Sequence, residues 1–284
     1  MPINISKDAL SAIKIGEIGL VKAAIGINEI FPNVKTPVSF SATSTNVPLG
    51  ADWIGYSTQT QGVAYNPSDG FLYTLERTVA AAGGYNSNTL YLIKRNATTG
   101  ALVSVGAAYP YASFPLYGLS FDSNDKFYTI LRSAPVSKVR IYNSSGVFQT
   151  DFILSGYGPP TYADDIAIDS NNIIYILRGQ GTLLIYKYNT SGTSQGSFTM
   201  GNSNNIKLFA SNDKLWAGGA TSTWFGRTIS TSTNGGNFVN NNTYGNSVSK
   251  NEIRFAGYNS VNEILWNAEL FNNVWVIRKY TPNF

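Results

Sequence analysis

The sequence predicts an all-β chain, a β-propeller of about five blades closed by an N-terminal strand and preceded by a short β-rich docking segment. Three observations predict it: a strand–turn–strand unit that recurs at blade-length spacing, a matching polar turn in three of those units, and a composition poor in helix formers. Of 284 residues, 43% are hydrophobic and only 13% charged, while Tyr, Phe, Gly, Asn, Ser and Thr are abundant. Aromatic and β-branched side chains fit a half-buried pleat, and the apolar fraction is ample for a core.

Taken in order, residues 1–35 read as a docking or assembly segment and 36–284 as the propeller. Within the first, the pattern I-G-x-x-x-[LI]-[VF] occurs twice, ten residues apart: Ile15-Gly16 aligns with Ile25-Gly26, and Leu20-Val21 with Ile30-Phe31, the run starting at Ile13. Two short apolar strands with glycine turns repeat in this way. An amphipathic helix is the alternative, and Gly16, Gly19 and Gly26 oppose it, each costing about 1 kcal/mol in a helix interior. So short a segment cannot bury its own apolar face and must pack against something else. Pro32 and Pro37 then break the chain before a Ser/Thr-rich stretch, Val38 to Thr45.

The repeat follows. Its copies are GVAYNPSDGFLYTLER from Gly62, GLSFDSNDKFYTILR from Gly118, DIAIDSNNIIYILR from Asp165, IKLFASNDKLWAGG from Ile206 and IRFAGYNSVNEILWNAEL from Ile253. Starts fall 56, 47, 41 and 47 residues apart, close to a four-stranded blade. In three units a further strand pair surrounds Asn-Ala-Thr-Thr-Gly, Asn-Ser-Ser-Gly or Asn-Thr-Ser-Gly, residues that supply positive φ and local hydrogen bonds to hairpins. The last unit ends one strand short, and the strand near Pro37–Thr45 is expected to fill that outermost place, closing the ring. Ser230 to Asn246, rich in Asn, Gly, Ser and Thr, reads as a long exposed loop in the fourth blade.

Function classes narrow by elimination. The chain has no Cys and no His, which removes disulfides, thiolate nucleophiles, Ser-His-Asp and Cys-His catalysis within one chain. The net charge of +4, from 20 basic and 16 acidic residues, is scattered, so no nucleic-acid partner is expected. Lys7, Asp8, Lys14 and Glu17 interrupt the apolar start, so neither a signal peptide nor membrane insertion is expected. Sequons at Asn96, Asn143, Asn189 and Asn241 are read as products of a composition rich in these residues.

Four groups are candidate sites. Asp164-Asp165 forms a tight carboxylate pair able to do acid/base or metal work, or simply to make the turn that starts a unit. Asp122-Ser-Asn-Asp125 and Asp169-Ser-Asn-Asn172 look like fragments of calcium loops but lack a full oxygen set, and hairpins use the same residues; no metal or cofactor is expected. Arg77, Arg132 and Arg178 end the second strand of three successive units and would share one face of a ring, where they bind anions or acidic sugars, or pair with Asp at a strand edge. Aromatic residues of the connecting segments, Tyr85, Tyr109, Tyr111, Tyr157, Tyr162, Trp224 and Phe225, suit ligand contacts or packing between blades.

The tandem Ile-Gly run resembles the N-terminal repeats of bacteriophage virion proteins, fibre, collar and tail-associated ones in particular. The unit from residue 60 onward resembles the NHL and related propeller repeats, which argues fold and little of function. The resemblance implies a non-enzymatic structural component of a phage virion: a fibre, spike or decoration protein located on the particle. Its N-terminus would dock to other virion proteins, the chain would be oligomeric in the assembly, and the propeller would project outward toward host-surface glycan. The alternative is a propeller-type glycoside hydrolase or lyase acting on polysaccharide through carboxylates in a central funnel.

Overall fold

The computed structural model describes residues 24–25, 28–29, 39–55, 58–79, 84, 86–111, 115–132, 137–154, 163–178, 183–201, 207–211, 214–218, 224–228, 253–259, 264–271 and 274–283. Every regular element among them is a strand. The chain divides into two compact units, Met1–Thr36 and Pro37–Phe284. In the first, β1 (Ala24–Ile25) pairs antiparallel with β2 (Asn28–Glu29), Ile25 opposite Asn28. Ile13, Ile15, Gly16, Leu20, Val21, Gly26, Ile30 and Phe31 of the tandem run lie outside the described residues, as does the Ser230–Asn246 stretch.

The second unit opens with β3 (Ser39–Pro48) and continues as a series of antiparallel meanders. The first blade is β4 (Gln59–Asn66), β5 (Phe71–Arg77), β6 (Thr89–Asn96) and β7 (Leu102–Pro110). The second is β8 (Leu116–Phe121), β9 (Phe127–Leu131), β10 (Lys138–Tyr142) and β11 (Phe148–Ile153). The third is β12 (Ala163–Ile168), β13 (Ile174–Arg178), β14 (Leu183–Tyr188) and β15 (Ser194–Gly201). A three-stranded sheet follows, β16 (Lys207–Ser211), β17 (Lys214–Gly218) and β18 (Trp224–Thr228). Last come β19 (Ile253–Asn259), β20 (Ile264–Phe271) and β21 (Val274–Asn283), with β3 as the fourth and outermost strand of that blade. The β3–β21 ladder runs from Pro48 opposite Val276 to Ser39 opposite Asn283, so the early strand does fill the place that the last unit leaves open.

The first strands touch in a cycle, β4 on β8, β8 on β12, β12 on β16, β16 on β19 and β19 on β4. Inner strands are buried on both faces and therefore read as nearly continuous apolar runs, as in Phe127–Leu131. Outer strands face water: β11 alternates little and leaves Phe148 and Ile153 exposed. Opposite faces of one strand serve different interfaces. Ile174 and Ile176 of β13 join Ile130, Val139 and Ile141 of the second blade, while Tyr175 and Leu177 join Leu208 and Leu215 of the three-stranded sheet.

Two local devices recur. The first is an irregularity at the start of the first strand, where the register shifts at Thr60/Gly62, Tyr117/Ser120, Ala163/Asp165 and Ile253/Phe255. Such bulges bend a strand and re-aim side chains at a rim. Gly118 has φ +70°, and a Cβ there would lie 2.8 Å from Ile166 Cγ2, so both conformation and the close approach of β12 require glycine. The second device is an Asx turn at hairpin tips. Asp122 Oδ1 accepts from the Asn124 and Lys126 amides and Oδ2 from the Tyr128 hydroxyl; Asp169 repeats the arrangement with Asn171, Ile173 and Tyr175. Both carboxylates are thereby spent on the fold. Asn143 and Asn189 make the same turn, each through Oδ1 to amides two and four residues on. These two asparagines open sequons because the turn wants Asn first and small polar residues after it.

Candidate functional site

The second strands end at the same rim at which the first strands begin: Arg77 stands opposite Gln59 and Arg178 opposite Ala163, and the Arg132 amide bonds to the Pro115 carbonyl just before β8. On this rim the structure brings together four of the sequence candidates, Arg77, Tyr111, Arg132 and Asp164, and adds Tyr117. The Arg77 guanidinium lies 3.9 Å above the centroid of the Tyr111 ring, and Arg132 lies 3.9 Å above that of Tyr117. The two tyrosine hydroxyls share a hydrogen bond of 2.7 Å, their ring centroids 6.4 Å apart. Arg132 then donates through Nε to the Ala163 carbonyl at 2.8 Å and through Nη2 to Asp164. A continuous rail, Arg77–Tyr111–Tyr117–Arg132–Asp164, thus crosses from the first blade through the second to the third.

Each member is held from behind. Arg77 Nη2 donates to Asn88 Oδ1 at 2.7 Å, and the Asn88 carbonyl accepts from the Tyr111 amide at 2.9 Å. Asn88 has φ 52°, a left-handed conformation that Asn tolerates better than other side-chain-bearing residues. Burial, the hydrogen bond to Tyr117 and the Tyr117 charge push the Tyr111 hydroxyl up to about 12, against the lowering influence of Arg77 and Arg132. It is therefore a neutral donor or acceptor at physiological pH. All five side chains of the rail are half-buried.

The other candidates are placed differently. Arg178 ends β13, half-buried, with Nε buried and without a hydrogen-bond partner. Tyr109 is corrected from ligand face to core: it is 8% exposed, packs edge-on against Phe127 and Tyr142, and donates to the Gly146 carbonyl at 2.9 Å. Trp224 begins β18 opposite Gly218, and only its backbone is described. Tyr85, Tyr157 and Tyr162 lie outside the described residues. Of the carboxylate pair, Asp164 occupies the bulge and faces Arg132, while Asp165 is 2% exposed and bridges strands. Its Oδ2 accepts from the Leu208 amide of the neighbouring sheet at 2.8 Å and Oδ1 from the Ile166 amide. The two carboxylates therefore point to different tasks.

A second polar cluster escaped the sequence reading. Glu76 and Arg95, both fully buried, pair at 2.7 Å, and Arg95 also holds Asp52 in the turn after β3. Trp53 Nε1 and the Thr58 and Thr74 hydroxyls complete the shell of Glu76. Burial opposes the Arg95 charge, but Glu76 and Asp52 outweigh it and hold its pKa above the ordinary value. With its partners satisfied, this cluster fixes the connection between β3 and β4. Among the described residues, no group of three or more Asp and Glu side chains could hold a metal ion.

No family model matches the chain, and no curated protein matches its sequence. Among solved structures, the glutaminyl cyclase of Myxococcus xanthus superposes with a TM-score of 0.55 at 10% identity, over 88% of this chain and 100% of that one. The likeness shows the fold, a β-propeller. A luciferin-regenerating enzyme matches at 0.48 and 10% identity, over 84% of this chain and 97% of that one. The WD40 repeats of RRP9 match at 0.47 and 14% identity, over 78% and 62%.

Proposed function

We propose that this chain is a non-enzymatic component of a bacteriophage virion, a fibre, spike or decoration protein. Residues 1–35 dock to other virion proteins, and residues 36–284 project outward as a recognition ring of five blades. The observation that carries the virion assignment is the tandem Ile-Gly run of residues 13–32, an apolar stretch too short to cover itself. The count of five takes the three-stranded sheet β16–β18 as a blade, which the cycle of first strands supports. Chain chemistry supports the non-enzymatic part: without His or Cys, acid/base work falls to carboxylates, and Asp165 is already bound to two backbone amides.

A second reading, a glycoside hydrolase or lyase, is favoured by one observation, the half-buried Asp164 at the rim beside a guanidinium. The experiment that tests the leading reading is mass spectrometry of purified particles made with the full chain and with residues 1–35 deleted. The full chain is expected in stoichiometric amount and the deletion is expected to be lost from particles while still folding. Particles without the full chain overturn it.

A further inference from the structure

Two properties of the arginine rim are left over once the fold has been explained. The first is charge. Among the described residues, Arg132 pairs with a carboxylate, Asp164, whereas no ion pair to a carboxylate is formed by Arg77 or Arg178. Arg77 is met by the neutral amide of Asn88 and the ring of Tyr111, and neither neutralises it. The second is donor capacity. The Nε atoms of Arg77 and of Arg178 are both buried without an acceptor. The great majority of buried donors in proteins are paired, so two open guanidinium donors at one rim are a feature that the fold alone does not account for.

We propose that this rim, Arg77, Arg132 and Arg178 with Asn88, Tyr111 and Asp164 around them, binds an acidic oligosaccharide that runs across three successive blades. The proposal rests on reading the ring as a recognition module. The chemistry follows from the arrangement. One guanidinium per blade at one rim matches a ligand whose negative charges repeat, and a guanidinium fork takes a carboxylate through two parallel hydrogen bonds. Arg77 and Arg132 are already laid flat on tyrosine rings and tied by hydrogen bonds, so little side-chain freedom is lost on binding. Asn88 Oδ1, Asp164 and the paired tyrosine hydroxyls offer acceptors and donors to sugar hydroxyls.

A nucleic acid fits less well. Its bases need open aromatic faces, and one face of both Tyr111 and Tyr117 is covered by arginine. A net charge of +4 is also small for a protein that neutralises a run of phosphates.

Isothermal titration of the full chain with hexagalacturonate, with the neutral cellohexaose and with oligo-dT tests the proposal. Hexagalacturonate is expected to bind saturably, at least about tenfold tighter than either other probe, and to weaken as salt is raised. Combined Arg77→Gln and Arg132→Gln should weaken it by about tenfold or more. Because those two side chains also hold the rail together, Arg178→Gln is the second variant. It removes no hydrogen bond within the described residues, and it should reduce affinity about threefold or more with the thermal midpoint unchanged. The proposal is overturned if hexagalacturonate does not bind, binds no better than cellohexaose, binds more weakly than oligo-dT, or binds Arg178→Gln unchanged. Cleavage of hexagalacturonate, lost in Asp164→Asn, overturns the non-enzymatic reading while leaving the rim as a carbohydrate site. Particle incorporation is scored separately, so a failed rim and a failed virion assignment give different results.

Discussion

Tyr111 ties the rim together: a guanidinium covers its ring, its hydroxyl bonds to Tyr117, and its amide bonds to Asn88. Because the folded protein holds this hydroxyl at about 12 and an unfolded tyrosine ionises near 10, folding favours the protonated form. The stabilisation is fully present below pH 10 and is lost as pH rises through 12. Burial also raises Tyr73, Tyr109, Tyr128, Tyr142, Tyr188 and Tyr280, so ultraviolet titration of native Tyr111→Phe should show one fewer late-ionising tyrosine than the parent, and the variant should lose less stability than the parent between pH 10 and 12. At this scale the sequence was legible where a residue type recurred in register. Arg77, Arg132 and Arg178 stood out because each ends a like-reading strand, and Tyr111 because it sits in a connection. Tyr117 was hidden inside a first strand, where an aromatic residue signals nothing beyond core. Asn88 and the misassigned Tyr109 depend on packing between blades, which no local pattern encodes.

Among the elements, hairpin turns were the most readable, since Asp-Ser-Asn and Asn-x-Ser-Gly carry their own hydrogen-bonding instructions. The bulges were half-readable: aligned Gly62, Gly118 and Asp165 marked the place, but the displaced register follows from ring packing. The Glu76–Arg95–Asp52 cluster was not legible, because each member alone reads as a polar residue of a strand or turn and their separations fit no short motif. Its energetics are those of a buried ion pair, whose value lies in being complete. Glu76→Ala would leave Arg95 buried, with Asp52, itself partly exposed, as its remaining carboxylate, and would strip partners from Trp53 and Thr58. A loss of about 3–5 kcal/mol is expected by urea denaturation. A loss under about 1 kcal/mol would mean that the cluster is not what fixes the β3–β4 connection.

For the molecule as a whole, closure decides stability. Trp266, fully buried on β20, reaches across the seam and donates to the Ala97 carbonyl at 2.8 Å, with Leu49, Leu72 and Ile277 around it. Trp266→Ala removes that bond and opens a cavity where the last blade meets the first, so about 3–5 kcal/mol should be lost in urea denaturation. Closure was foreseeable from a last unit one strand short; the tryptophan at the seam was not, since an aromatic at that strand position recurs as Tyr73, Tyr128 and Tyr175 and so carried no separate meaning. The closing ladder has a mechanical side as well. The chain leaves the N-terminal unit at Thr36 and becomes β3 at Ser39, the strand that fastens the ring. Any tension applied through the first residues thus enters the body at its clasp, and the β3–β21 ladder bears that load before the other ladders of the ring do.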